Sequence, residues 1–146
     1  MEALNGMDTT VGDARTIQAA AGDADRFSLT VLPFVLRLQW APRLVIDRAD
    51  IARVGSALVA SGRSTLPVLA EVSALKEITW DAREAILGYA HPARIAVVGS
   101  DAVDLVLTAF TVRSSSEIRY FTDRDVAVRW LLQEQDAAPP APRRLQ

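Results

Sequence analysis

Cysteine is absent from the chain, and histidine occurs once, at His91. The first absence excludes disulfides, thiol nucleophiles and thiolate metal sites; the second excludes a multi-histidine metal centre. A cysteine-free chain is compatible with a reducing cytoplasm, which is the compartment expected. Neither sign of charge dominates: 16 Lys and Arg face 18 Asp and Glu, for a formal net charge of −2. No basic run interrupts that balance, so there is no reason to expect nonspecific nucleic-acid binding, which depends on neutralising many phosphates. Apolar runs break well before the ~18 residues of a membrane span. The opening segment MEALNGMDTTVGDARTIQAAAGDAD has no basic start and no apolar stretch, and does not read as a secretory signal.

What is present suits one packed domain. The chain has 146 residues and half of them are apolar, enough for a single ordinary core. Residues 1–24 mix Gly, Ala, Thr and Asp with few large apolar side chains, and read as a flexible arm with a transient helix across Ala14–Ala21. The closing AAPPAPRRLQ, residues 137–146, reads as a flexible tail, because its prolines remove backbone donors and favour extended chain. The packed domain is then residues 25–136.

Within it, the apolar period alternates between two and 3.6. Arg26–Leu32 and Phe34–Trp40 have strand character, and the second alternates Phe34, Leu36, Leu38 and Trp40 with Val35, Arg37 and Gln39. Pro33 lies between the two strands or at an edge, since it cannot donate to a ladder. Asp47 and Asp50 mark a helix start, with Ile46 and Ile51 as an apolar staple; Ile51, Val54 and Leu58 continue the helix over 48–61, and Gly62 ends it. Strands follow at Leu66–Val72, Arg94–Val98 and Glu117–Phe121, and helices at Trp80–Tyr89, Asp101–Val112 and 123–135. Ser100 and Thr122 are the expected caps of the last two helices. The order β-β-α-β-α-β-α-β-α predicts an α/β fold: one mixed sheet with parallel crossovers, an antiparallel start and four principal helices.

The segments LRLQWAP at 36–42, LPVLAEVSALKEITWDAR at 66–83, RIAVVGSDAVDLVLTAF at 94–110 and RYFTDRDVAVRWL at 119–131 resemble the STAS superfamily, and more closely its small bacterial SpoIIAA-like proteins. The resemblance implies a single STAS-like domain, the fold of anti-sigma-factor antagonists and transporter cytoplasmic domains. It also implies a noncatalytic regulatory or protein-interaction role. In phosphorylated antagonists an aspartate–serine–serine–glycine segment leads into the second helix. Here Thr79, Trp80, Asp81 and Ala82 stand at those positions, so neither serine position carries a hydroxyl.

Candidate functional residues therefore concentrate at 79–83. Thr79 reads as a helix cap or a regulatory hydroxyl. Asp81 reads as a first-turn carboxylate or a negative feature read by a partner. Trp80 reads as core packing or a partner anchor, and Arg83 completes the partner-facing set. Gly99, Ser100 and Asp101 form a strand-to-helix turn with no dinucleotide or P-loop pattern. His91, before Pro92 in a loop, has no triad near it in sequence and reads as solvent-facing or structural. Asp47, Asp50, Asp123 and Asp125 belong to helix starts, while Trp40 and Trp130 fit the core. No catalytic residue, cofactor or metal is expected. An unidentified protein partner is, and a homodimer through a sheet edge is compatible. The alternative is a lipid or small apolar ligand, if the helices after residue 80 frame a pocket; an enclosed apolar cavity would favour it.

Overall fold

The computed structural model describes residues 26–133 and the backbone of residues 15–17. Its strands are β1 (Arg15–Ile17), β2 (Phe27–Val31), β3 (Leu36–Trp40), β4 (Val45–Ile46), β5 (Val68–Glu71), β6 (Glu77–Ile78), β7 (Ile95–Val98) and β8 (Ile118–Phe121). Its helices are α1 (Arg48–Ala60), α2 (Trp80–Leu87), α3 (Ala102–Thr108) and α4 (Arg124–Leu132), with a 3₁₀ helix at Ala109–Arg113. Six strands form one sheet in the order β1-β2-β3-β5-β7-β8, and β4 pairs with β6 in a small parallel ribbon. The first two pairings are antiparallel and the remaining three parallel, so the mixed α/β architecture is the one expected.

The β2–β3 hairpin aligns Val31 with Leu36, and Leu32 N donates to Val35 O at 3.0 Å across the Pro33 turn. Phe34 sits in that turn and is exposed, so the alternating strand begins at Leu36. The parallel part then keeps a constant register, Leu36 to Val68 to Ile95 to Ile118. At 15–17, inside the segment read as an arm with helical tendency, the backbone is extended and pairs with β2, Thr16 opposite Thr30. The β-branched Thr16 and Ile17 suit a strand better than a helix turn once an edge is offered. The tail at 137–146 and both domain limits lie outside the described residues.

A sheet with parallel strands has two faces to cover. On one face α4 packs Ala127, Trp130 and Leu131 onto Val35, Leu69 and Ala96. The Trp130 ring is flanked by the Arg94 and Arg119 guanidiniums, 4.7 and 5.0 Å from its centroid. On the other face α1 lays Ala57 and Leu58 over Leu29, Leu36, Leu38 and Val68. The start of α1 is fixed by a reciprocal capping box. Asp50 N donates to Asp47 Oδ1 at 2.9 Å and Asp47 N donates to Asp50 Oδ2 at 3.0 Å. Asp50 is fully buried, and Arg26 reaches it from the head of β2 with two 2.8 Å hydrogen bonds. Gly62 adopts φ 70 just past the helix end, a conformation that suits glycine.

Two caps fall one residue later than expected. Asp123, rather than Thr122, caps α4, accepting from Asp125 N and Val126 N. Asp101, rather than Ser100, caps α3, accepting from Asp104 N. In both cases a carboxylate displaces the neighbouring hydroxyl from the cap position. The predicted long helix 101–112 also divides, because Thr108 and Thr111 turn their hydroxyls back onto the carbonyls of Asp104 and Thr108 at 2.8 and 2.7 Å. Such back-bonding loosens the α ladder, and the chain continues as a 3₁₀ helix.

Ser100 is drawn instead to the buried Asp104 carboxylate. Leu75 N donates to Oδ1 at 2.8 Å; Ser100 N, Ser100 Oγ and Ala74 N donate to Oδ2 at 3.0, 3.1 and 3.3 Å. Burial pushes this carboxyl up, but the hydrogen bonds from Ser100, Leu75 and Ala74 together outweigh burial and bring it below the ordinary 3.8. The same balance holds for Asp50, where burial is outweighed by Arg26 and the Asp47 N–H. Carboxyls depressed in the folded state contribute stability above the unfolded value and lose it as pH falls through their folded values. Asp104→Ala should therefore cost about 3 kcal/mol at neutral pH, because several donors lose their acceptor in the interior. In urea titrations across pH 2–7, the gap between wild type and D104A should close below about pH 4; a gap that does not change with pH would assign the loss to packing.

Candidate functional site

The face of the sheet opposite α4 is not fully filled. Between it, α1, α2 and the 3₁₀ helix lies an apolar cavity of about 280 Å³. Helix α1 contributes Ile51, Val54, Gly55 and Leu58, the i, i+3, i+4, i+7 stripe of an inward face. Helix α2 contributes Ala85 and Ile86, followed by Tyr89, and the 3₁₀ helix contributes Phe110 and Thr111. The floor is one side of the sheet, where Leu38, Ala70 and Val97 lie in register, and the β4–β6 ribbon adds Ile46 and Ile78 at one end. Trp40, expected in the core, is half-buried and also borders this space.

Polar groups on the lining are turned away from it. The Thr108 and Thr111 hydroxyls are spent on helix carbonyls, which leaves their methyl groups available to the cavity. The Tyr89 hydroxyl bonds His91 Nδ1 at 2.5 Å. His91 is itself buried, and its Nε2 bonds the Leu66 carbonyl at 2.7 Å. A carbonyl can only accept, so Nε2 carries the hydrogen and Nδ1 accepts from Tyr89. Burial raises the Tyr89 hydroxyl above its ordinary 10.0, which keeps it a donor. His91 N also donates to Ser116 Oγ at 2.8 Å, and Ser116 Oγ donates to Tyr89 O at 3.0 Å. His91 is thus a structural tie between α2, β5 and the approach to β8, with no catalytic geometry around it.

The residues singled out at 79–83 gather at the start of α2. Thr79 Oγ1 accepts from Ala82 N at 3.3 Å and donates to Asp81 Oδ1 at 2.6 Å, so Thr79 is a cap and Asp81 its acceptor. Trp80 is 73% exposed and does not enter the core. Arg83 turns inward: Nε donates to Ile78 O at 2.8 Å and the guanidinium lies 5.5 Å from the Phe110 ring centroid. Beyond these residues, α3 and the 3₁₀ helix leave Val103, Leu105, Val106 and Val112 exposed. Among the described residues no His, Cys, Asp and Glu cluster could hold a metal, and no helix is long and apolar enough to cross a membrane.

Gly55 and the cavity it borders were not legible from linear sequence. The signal was a glycine inside a confident helix on the same face as Ile51, Val54 and Leu58, where alanine would form a better helix.

The geometry has a counterpart among solved structures. The crystal structure of an uncharacterized protein from the DUF3478 family with a SpoIIAA-like fold, from Shewanella loihica PV-4, matches with a TM-score of 0.51 and 16% sequence identity, covering 86% of this chain and 99% of that one. The chain has a SpoIIAA-like fold. No protein-family model matches the sequence, and no protein of curated function matches it. The mixed α/β fold expected from residues 36–131 is the one this comparison shows.

Replacing Thr79 by alanine should cost about 0.5–2 kcal/mol, and replacement by serine should retain most of that. Thermal melts of T79A and T79S test this cap; equal melting of T79A and wild type would show that the 3.3 Å bond to Ala82 contributes nothing.

Proposed function

We propose that the domain is a noncatalytic binding module that takes a small apolar ligand between its sheet and helices α1 and α2. The observation that carries this reading is Gly55. It lies in the interior of α1 on the cavity wall, and a Cβ built there would have no heavy atom within 4 Å. Glycine costs a helix interior about 0.5–1 kcal/mol relative to alanine. No tight approach at this position requires that cost, so its effect is to keep the space open.

The character of the cavity supports the same reading: its 280 Å³ is partly open to solvent and lined almost wholly by apolar side chains, a surface that gains by being covered with hydrocarbon. The lining offers no free hydrogen-bonding group, so the part of the ligand inside is hydrocarbon.

A second reading, recognition of a protein partner at the start of α2, is favoured by one observation, the exposed Trp80 ring beside Asp81. Large aromatics on a surface are frequent anchors of protein interfaces. Thr79, Trp80 and Asp81 would form that surface, and it lies outside the cavity, so both readings can hold in one molecule.

Gly55→Leu separates the cavity from ordinary core. The leucine side chain should enter the open space, raise the melting temperature and abolish binding of an environment-sensitive apolar dye such as 1-anilinonaphthalene-8-sulfonate. Lower stability with dye binding retained would show that the space near Gly55 is not the binding site.

A further inference from the structure

We infer that the cavity ligand is an amphiphile whose anionic head is held by Arg83, with its apolar body inside. This deepens the apolar-ligand reading and rests on it. Arg83 and Ile86 are three residues apart on α2, so they share a face, and Ile86 lines the cavity. The two groups that hold the Arg83 side chain, Ile78 and Phe110, line it as well. Arg83 is therefore held behind the lining, in contact with two of its residues.

The guanidinium is half-buried, and among the described residues no carboxylate lies within ion-pair distance of it. The nearest acids in sequence are otherwise placed: Asp81 accepts from Thr79, and Glu84 is exposed on the next helix position. Nε is the only guanidinium nitrogen with a hydrogen bond to a described residue, which leaves both terminal nitrogens as donors. A partly desolvated cation without a counter-charge is unfavourable, and the Phe110 ring compensates it only in part. Two terminal donors next to the lining residues Ile78 and Phe110 match a carboxylate or phosphate oxygen pair on a ligand head that extends past the lining.

Size limits the rest of the molecule. A dry apolar cavity of ~150 Å³ accommodates benzene, so 280 Å³ takes an apolar body of roughly ten carbon atoms. A medium-length alkyl chain with one anionic end has the required shape and charge.

Isothermal titration of the full chain with decanoate, decyl phosphate and decanol tests the assignment and distinguishes the two head chemistries. Wild type should bind one or both anions at least tenfold more tightly than decanol, and Arg83→Gln should collapse that preference to near unity. R83K should retain part of it. Equal affinities for all three in wild type, or a loss in R83Q that is the same for anions and alcohol, would overturn the inference and reduce Arg83 to a packing group on Phe110. Binding of none of the three would overturn both this inference and the apolar-ligand reading.

Discussion

The Asp104 carboxylate fastens together the chain that leaves two paired strands, β5 and β7, at their common end. It receives N–H groups from the loop after β5, at Ala74 and Leu75, and from the turn after β7, at Ser100, while its own backbone opens α3. Ala74 is held in a left-handed conformation, φ 53, that alanine adopts at a cost, and its N–H is one of those donors. Gly99 is forced by the same crowding, since a Cβ there would meet the Tyr120 hydroxyl and come within 2.8 Å of Asp104 Cβ. Fixing the loop 73–75 also places β6 beside β4, and Thr79, the cap of α2, follows directly. The position of α2 over the sheet is thus tied to a buried charge in the next crossover.

With that end fastened, the unequal covering of the sheet becomes intelligible. Helix α4 closes its face with Trp130, a side chain large enough to fill the layer and flanked by Arg94 and Arg119. The opposite face is covered by α1, α2 and a short 3₁₀ turn, each of which places one small residue, Gly55, Ala85 or Thr111, among the larger ones on its inward side. Small residues at one level of three separate elements leave a gap that no single rotamer can close. The gap remains apolar because each nearby hydroxyl has a closer acceptor in its own helix or in His91.

Much of this architecture was legible from residues 26–133 before any coordinates. Asp47 with Asp50, the 3.6-residue spacing of Ile51, Val54 and Leu58, and Gly62 marked α1 at both ends, because capping chemistry is local. The parallel order followed from alternation alone. Misplaced features were those decided by competition or distance. Asp123 outcompeted Thr122, and Asp101 outcompeted Ser100, since a carboxylate is the stronger acceptor for helix N–H groups. The two-residue strands β4 and β6 are too short to carry a period. Trp80 had a helical position without an indication of which way that position faced. The residues at 79–83 divide into two kinds: Thr79, Trp80 and Asp81 lie outward, whereas Arg83 points to Phe110, 27 residues away along a chain that gave no sign of the pairing.

Arg83 shows why the two surfaces of α2 are energetically separable. Trp80 and Asp81 belong to the solvated side, where each contributes to the fold through capping or not at all. Arg83 belongs to the buried side, where removing its charge also removes a hydrogen bond to Ile78 and the face-on contact with Phe110. An occupant between α1 and α2 would contact Ile86 and Phe110 within the cavity and meet Arg83 beyond them. It would thereby stabilise α2 against the sheet by the affinity with which it binds. Helix α2 is only eight residues long, below the length at which a helix is stable alone, so its order depends on what it packs against. A ligand that filled the cavity would for that reason also favour the helical form of the surface that carries Trp80, by the free energy with which it binds the packed helix.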